Sequence, residues 1–180
     1  MIRTQRLRLI PASIETLTAE LSGRESFECS LGIPVPENWP PELYDRAATE
    51  YSYECLKSNP EHSGWGVYYI ILDNGNGSVA VGTAGYKGPP DAEGSVEIGY
   101  GILPEFQRRG IATETAKGLI HNAFQHTDVR RVYAETLPEL TASIGVMVKC
   151  GFRFIGEGSE PGVIRYELTR EEHEKIHLNN

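Results

Sequence analysis

The sequence has little sulfur and no long apolar run. Its three cysteines, Cys29, Cys55 and Cys150, are odd in number and show no C-x-x-C spacing, so they indicate neither a disulfide framework nor a thiolate metal site. No window approaches the roughly 18 consecutive apolar residues that a membrane-spanning helix needs. The opening "MIRTQRLRLI" has no apolar core of the kind a secretory signal carries. These absences lead us to expect a soluble protein of the reducing cytoplasm with no membrane partner. Positive charge is also short: 17 Lys and Arg stand against 25 Asp and Glu, a formal charge of −8. Such a chain repels a phosphodiester backbone at long range, which argues against nucleic acid as a partner. Two phosphate-loop spellings fail as well. No G-x-x-x-x-G-K-[ST] occurs, and "GYGILP" at 99–104 lacks the third glycine of a dinucleotide fingerprint.

What is present suits one domain spanning residues 1–180, long enough to bury a full core. "RLRLI" (6–10) alternates charged and apolar side chains and predicts a strand. Ser13 offers an N-cap to a helix with Ile14, Leu17 and Leu21 on one face, ending at Ser22-Gly23. "GIPVPENWPP" (32–41) holds four prolines and predicts a loop. A helix then opens at Pro41 and runs to about Lys57, with Leu43, Ala47, Tyr51 and Cys55 as its core-facing stripe. "WGVYYIIL" (65–72), "SVAVGTAGY" (78–86) and "SVEIGYGIL" (95–103) predict an antiparallel meander, the first turn being the Asn-Gly segment 73–77. Ala112, Ala116, Leu119, Ile120, Ala123 and Phe124 recur at helical spacing. A strand at 130–136, a helix at about 138–149 and strands at 152–158 and 163–168 complete an α+β order. Thr169 to Glu172 spells a capping box for a last short helix.

The segment "ILPEFQRRGIATETAKGLIHNAF" (102–124) asks for more than a turn. A strand end, a short loop and a helix start leave several backbone N–H groups without partners. The helix dipole adds roughly half a positive charge there, and Arg108 and Arg109 add two more. Gly110 permits positive φ and close approach of an oxygen to the main chain, and Ala112 stays small beside it. A diphosphate satisfies this set; the bland alternative is a pair of solvated surface arginines.

"QRRGIA" (107–112) resembles the Q/R-x-x-G-x-G/A motif of the GNAT family of N-acetyltransferases, and "VEIGYGILPEFQRRGIATETAKGLIHNAF" resembles the acetyl-CoA motif of that family along its length. "ASIGVMVKCGFRFIGEG" (142–158) resembles the A-S-x-x-V-x-x-K-x-G-F segment of the RimJ/RimL-like, ribosomal-protein-alanine acetyltransferase branch, as does "RTQRLRLIPAS" at the start. The resemblance is weakest over 22–64. It implies a mixed, mostly antiparallel sheet, flanked by helices and splayed between its fourth and fifth strands, with acetyl-CoA as co-substrate in the opening. It further implies that Gln107, Arg108, Arg109, Gly110, Ile111, Ala112 and Thr113 contact the pyrophosphate. Ile102 and Leu103 would pair their backbone with the pantetheine arm like an added strand, and N–H groups of the same strand would stabilise the oxyanion. No metal is implied, and a homodimer is compatible with the branch.

Amine attack needs a base. Glu97 lies on the fourth strand between Val96 and Ile98, where family members often carry a glutamate acting directly or through water; a solvated face residue remains the alternative. Where many relatives have a tyrosine to protonate the thiolate this chain has Met147, which leaves Ser143 as the nearest hydroxyl. A helix serine bonded back to a carbonyl is the competing reading of that residue. Leu140 replaces an asparagine that contacts the cofactor in relatives. "HEKIH" (173–177) matches H-E-x-x-H, but a polar terminal helix with no third ligand does not make a zinc site. Glu28, Glu37, Glu42, Glu50 and Glu54, with Trp39, Tyr44, Tyr51, Tyr53 and Trp65, suit a cationic amine, and a solvated helix face explains the acids equally well. The expected activity is acetyl transfer to a primary amine, on a protein N-terminus or a small molecule, by direct attack in a ternary complex. Its rival is a non-catalytic acyl-CoA-binding sensor or interaction module.

Overall fold

A computed structural model describes residues 1–75 and 77–178. The strands are β1 (Ile2–Arg3), β2 (Leu7–Pro11), β3 (Val67–Asp73), β4 (Ser78–Tyr86), β5 (Ser95–Ile102), β6 (Arg131–Thr136), β7 (Arg153–Glu157) and β8 (Ile164–Thr169). They form one sheet in the order β1-β2-β3-β4-β5-β6-β8-β7. Every neighbouring pair is antiparallel except β5–β6. The helices are α1 (Ile14–Ser22), α2 (Arg24–Leu31), α3 (Arg46–Ser58), α4 (Ile111–Gln125), α5 (Thr141–Lys149) and α6 (Arg170–Leu178). Because β1 is additional to the expected strands, the fourth predicted strand is β5 and the fifth is β6.

The α+β order follows from local chemistry. Leu7 and Leu9 of β2 are buried, as their alternation requires. Ser13 caps α1 by accepting from Thr16 N–H, while Thr16 Oγ1 accepts from Ser13 N–H at 2.8 Å. Thr169 and Glu172 make the expected box at α6, with Thr169 N–H donating to Glu172 Oε2 at 2.8 Å. The β3–β4 hairpin forms as its Asn-Gly turn predicts, although Asn76 of that turn lies outside the described residues. On one face of the sheet, α4 buries Ala116, Leu119, Ile120, Ala123 and Phe124 against β2 to β6. On the other, Leu17 and Phe27 pack with Tyr69, Ile71 and Ala80.

The 22–64 stretch departs from expectation. Helix α2 is additional: its polar sequence RESFECSL buries Phe27 alone, too weak a stripe to register as amphipathic. Helix α3 starts at Arg46, not Pro41, because Asp45 accepts from Ala48 N–H at 3.0 Å and defines the cap. Leu43 lies outside that helix in a left-handed turn at φ 67°. The expected stripe is also wrong, since Leu43, Ala47 and Tyr51 are exposed and Thr49 is the buried residue of α3. Of the cysteines, Cys150 is buried, Cys55 half-buried and Cys29 exposed.

Strands β4 and β5 are irregular where they lie beside each other. Val81 is an extra residue in β4, a bulge opposite Ile70 and Ile71, and its carbonyl accepts from Leu103 N–H at 2.9 Å. Next to it, a Cβ on Gly82 would lie 2.1 Å from the Gly101 carbonyl oxygen, so the two strands approach more closely than any side chain allows.

Candidate active site

Strands β5 and β6 part early. Only Ser95, Val96 and Glu97 are in register with Arg131, Val132 and Tyr133, while β5 stays paired with β4 through Ile102. The alternation of the backbone decides what faces the gap. Glu97 C=O accepts from Lys87 N–H and Leu103 N–H donates to Val81 C=O, so these odd residues point toward β4. The even residues face the other way, and beyond the last rung at Glu97–Tyr133 it is Tyr100 and Ile102 that turn to the edge β6 has left. The result is an open strand edge inside the protein.

The opening ends in the Gln107–Gly110 corner. Gln107 folds back to donate from Nε2 to the Ile102 carbonyl at 2.9 Å. Arg108 and Gly110 are left-handed at φ 57° and 78°, and Arg108 is one of two non-glycine residues with positive φ among those described. Strain of this kind concentrates where a backbone must present its amides. Gly110 is the N-cap of α4 and offers no side-chain cap, so the N–H groups of Ile111, Ala112 and Thr113 have no helical partner. Arg109 lies over the Phe106 ring at 5.5 Å, and Arg108 is exposed. Gln107 through Thr113 thus run on directly from the strand edge, with Gln107 tied back to Ile102 and the Ile111 side chain buried in the core. Leu103 does not join them: its side chain is buried, its N–H is held by Val81, and its carbonyl accepts from Phe106 N–H at 2.9 Å.

Glu97 and Ser143 stand on different walls of the gap. Glu97 lies on the face of β5 opposite α4, its side chain only 10% accessible, in an ion pair with the exposed Lys87. Its register partner Tyr133 stacks against Arg165 at 4.7 Å. Burial pushes the Tyr133 phenol up, and the Glu97 carboxylate pushes it the same way. On that same face Gly99 leaves bare backbone, with nothing within 4 Å of a would-be Cβ. Ser143, in the first turn of α5, meets Tyr100 across the opening, with the Tyr100 hydroxyl 3.5 Å from Ser143 Oγ and 3.4 Å from its carbonyl. Burial pushes the Tyr100 phenol up to about 12, and Ser143 pulls it back. Met147 is buried in the core, and Leu140 sits half out at the N-cap of α5 without a capping bond. Cys150 reaches across to the Thr113 carbonyl at 3.7 Å and ties α5 to the first turn of α4.

The acidic and aromatic stretch divides: Glu37, Glu42, Glu50, Glu54 and Tyr51 are exposed, as a solvated face requires, while Trp39 packs inward. Trp39 and Tyr69 donate to Glu20 at 2.8 and 2.9 Å, Glu28 accepts from Val35 N–H at 2.9 Å, and Glu50 pairs with Arg46 at 2.8 Å. Tyr51 and Trp65 instead line a cavity of about 320 Å³ with Cys55, Leu56 and Lys87. Lys87, Gly99, Tyr100 and Tyr133 carry no signal in the sequence, because only register brings them to the gap. Among the described residues no group of His, Cys, Asp or Glu side chains is placed to hold a metal ion, and no helix is long and apolar enough to cross a membrane.

Residues 6–153 match the acetyltransferase (GNAT) domain. The uncharacterized N-acetyltransferase YjdG of Bacillus subtilis is 30% identical over 152 residues, which cover 84% of this chain and 89% of that one. Among solved structures, a GNAT-family acetyltransferase from Bacillus anthracis superposes with a TM-score of 0.63 at 22% identity, covering 94% and 98% of the two chains. Mycobacterium smegmatis RimJ in complex with CoA-disulfide gives 0.63 at 20% identity, covering 96% and 89%.

Proposed function

The chain belongs to the GNAT acetyltransferase family and is an acyltransferase, and from that premise we propose that it transfers an acetyl group from acetyl-CoA to a primary amine by direct attack in a ternary complex. The observation that carries this reading is the open edge of β5, presented by Tyr100 and Ile102 and ending at the left-handed corner of Gly110. An extended pantetheine arm has amide groups that can pair with such an edge. The diphosphate at its end meets the free N–H groups of Ile111, Ala112 and Thr113, with Gln107, Arg108 and Arg109 around it. Related structures hold CoA or acetyl-CoA.

The chemistry then falls to residues on the two walls. An α-amine has a pKa of roughly 8 and a lysine of roughly 10.4, so the acceptor arrives protonated. Glu97, directly or through water, takes that proton. The freed amine attacks the thioester carbonyl, and β5 N–H groups receive the developing oxyanion. The C–S bond breaks, the attacking nitrogen loses its second proton to solvent, and Ser143 passes its proton to the departing thiolate and is reprotonated from water. The acceptor enters from the cavity bordered by Trp65 and Lys87, beside Glu97. Cytoplasmic residence fits a donor of this kind.

The test is a panel of N-terminal peptides and small amines incubated with acetyl-CoA, read as free thiol and as product mass. Amine-dependent thiol with an acetyl mass increment supports the proposal. Heat on adding CoA without any amine-dependent thiol would instead mark an acyl-CoA sensor, and a different increment would mark another donor.

A further inference from the structure

Arg6, in the turn between β1 and β2, carries the most elaborate polar contacts near the Gly110 corner, although 103 residues separate it from Arg109. Its Nε donates to Glu114 Oε2 at 2.7 Å, its main-chain N–H donates to Glu114 Oε1 at 2.7 Å, and its Nη1 donates to the Arg109 carbonyl at 3.1 Å. Thr4 adds a bond from its hydroxyl to Glu114 Oε1 at 2.6 Å. A Cβ built on Gly110 would meet Arg6 Nη2 at 3.5 Å, so the guanidinium lies against the corner itself.

Glu114 explains why this matters. It stands in the first turn of α4, where a carboxylate is favoured by the helix dipole and can swing back onto the free N–H groups. Those N–H groups are the ones a diphosphate would take. Both carboxylate oxygens are instead fastened on the strand side, and the charge is neutralised in place. Burial draws the Glu114 carboxyl upward, and the bonds from Thr4 and Arg6 outweigh it, leaving the group below the ordinary glutamate range.

We propose that Arg6 is a positioning residue for the cofactor: it holds Glu114 away from the α4 amides, cancels its repulsion of an incoming diphosphate, and fixes the Arg109 carbonyl in the left-handed turn. This rests on the acetyl-CoA reading of the site. Arg6 acts through Glu114 and the main chain and takes no part in bond making.

The experiment is titration calorimetry with CoA on wild type, Arg6→Ala, Arg6→Lys, Glu114→Gln and the Arg6→Ala/Glu114→Gln double variant, with melting temperatures and acetyl-CoA KM and kcat beside it. Arg6→Ala is expected to raise the CoA Kd and the acetyl-CoA KM about tenfold, with kcat changed less than about twofold, and more so at low salt. Arg6→Lys keeps the charge without the fork and should fall between. Glu114→Gln should bind CoA at least as tightly as wild type, and the double variant should recover most of the loss. Recovery separates removal of a competing carboxylate from simple damage, since a structural defect would deepen with the second change. Should Arg6→Ala, folded by its melt, bind CoA as wild type does, or the double variant bind no better than Arg6→Ala, the proposal fails. Absence of heat with wild type itself would sink the acetyl-CoA reading instead.

Discussion

The ammonium of Lys87, one residue past β4, rests on the carboxylate of Glu97 in the next strand. The carboxylate is nearly enclosed and the lysine is open to water, being 64% accessible, so on the proposed mechanism an arriving ammonium would exchange with a group that leaves easily into solvent. A general base contributes about 10²–10⁴ to rate. Glu97→Gln is therefore expected to lower kcat/KM by about a hundredfold in steady-state thiol release. A loss below about tenfold at every pH would take Glu97 out of the mechanism.

Ser143 faces the opening from α5, opposite the β5 edge. On the proposed mechanism, replacing it with alanine removes the proton donor and spares the backbone groups that would meet the cofactor. The expected outcome is a fall in kcat of about tenfold or more with the acetyl-CoA KM unchanged. Equal kcat in the alanine variant would show that the thiolate departs without Ser143.

Gly110 adopts φ 78° at the N-cap of α4. A β-branched side chain there costs about 1–3 kcal/mol of backbone strain and crowds the approach to the Ile111–Thr113 amides. Gly110→Val should lower the melting temperature by a few degrees and abolish calorimetric heat with CoA; retention of wild-type affinity would remove the corner from the cofactor site.

The acid side of the stability profile has a named contributor. Arg8 donates to both oxygens of Asp73 at 2.8 Å and Ser78 adds a third bond at 2.5 Å, which brings the Asp73 carboxyl down to about 2. A carboxyl lowered in the folded state adds stability above its unfolded pKa of roughly 3.9, and that stability is lost as pH falls toward 2. Arg8→Ala should accordingly show a shallower decline in melting temperature between about pH 4 and 2 than wild type. Parallel declines would contradict the assignment.

Strands and the Gly110 corner are readable because their signals are local. Alternation in Leu7 and Leu9, the Asn-Gly turn, Gly110 and the stripe from Ala116 to Phe124 depend on neighbours a few residues away. The fork itself is implied only through resemblance, since nothing in "VEIGYGIL" says that pairing with β6 stops at Glu97. Lys87, Tyr133 and Arg6 gain their importance from residues far along the chain, through strand register in the first two cases and through Glu114 in the third. Helix α2 is silent because one buried phenylalanine holds it, and Trp39, which reads as part of an amine-facing surface, packs inward on Phe27 at 5.4 Å beside Tyr69 at 4.7 Å, whereas Tyr51 is exposed.

Three rungs join β5 to β6 before the strands part. The protein is thereby two plates riveted at one end and backed by α4, whose Thr113 carbonyl holds Cys150, so the span at the free end is set by side-chain packing and not by main-chain rungs. Tyr100, reaching Ser143 at 3.5 Å, sets how far α5 stands from the β5 edge, so thickness, as much as any polar contact, becomes a criterion of admission.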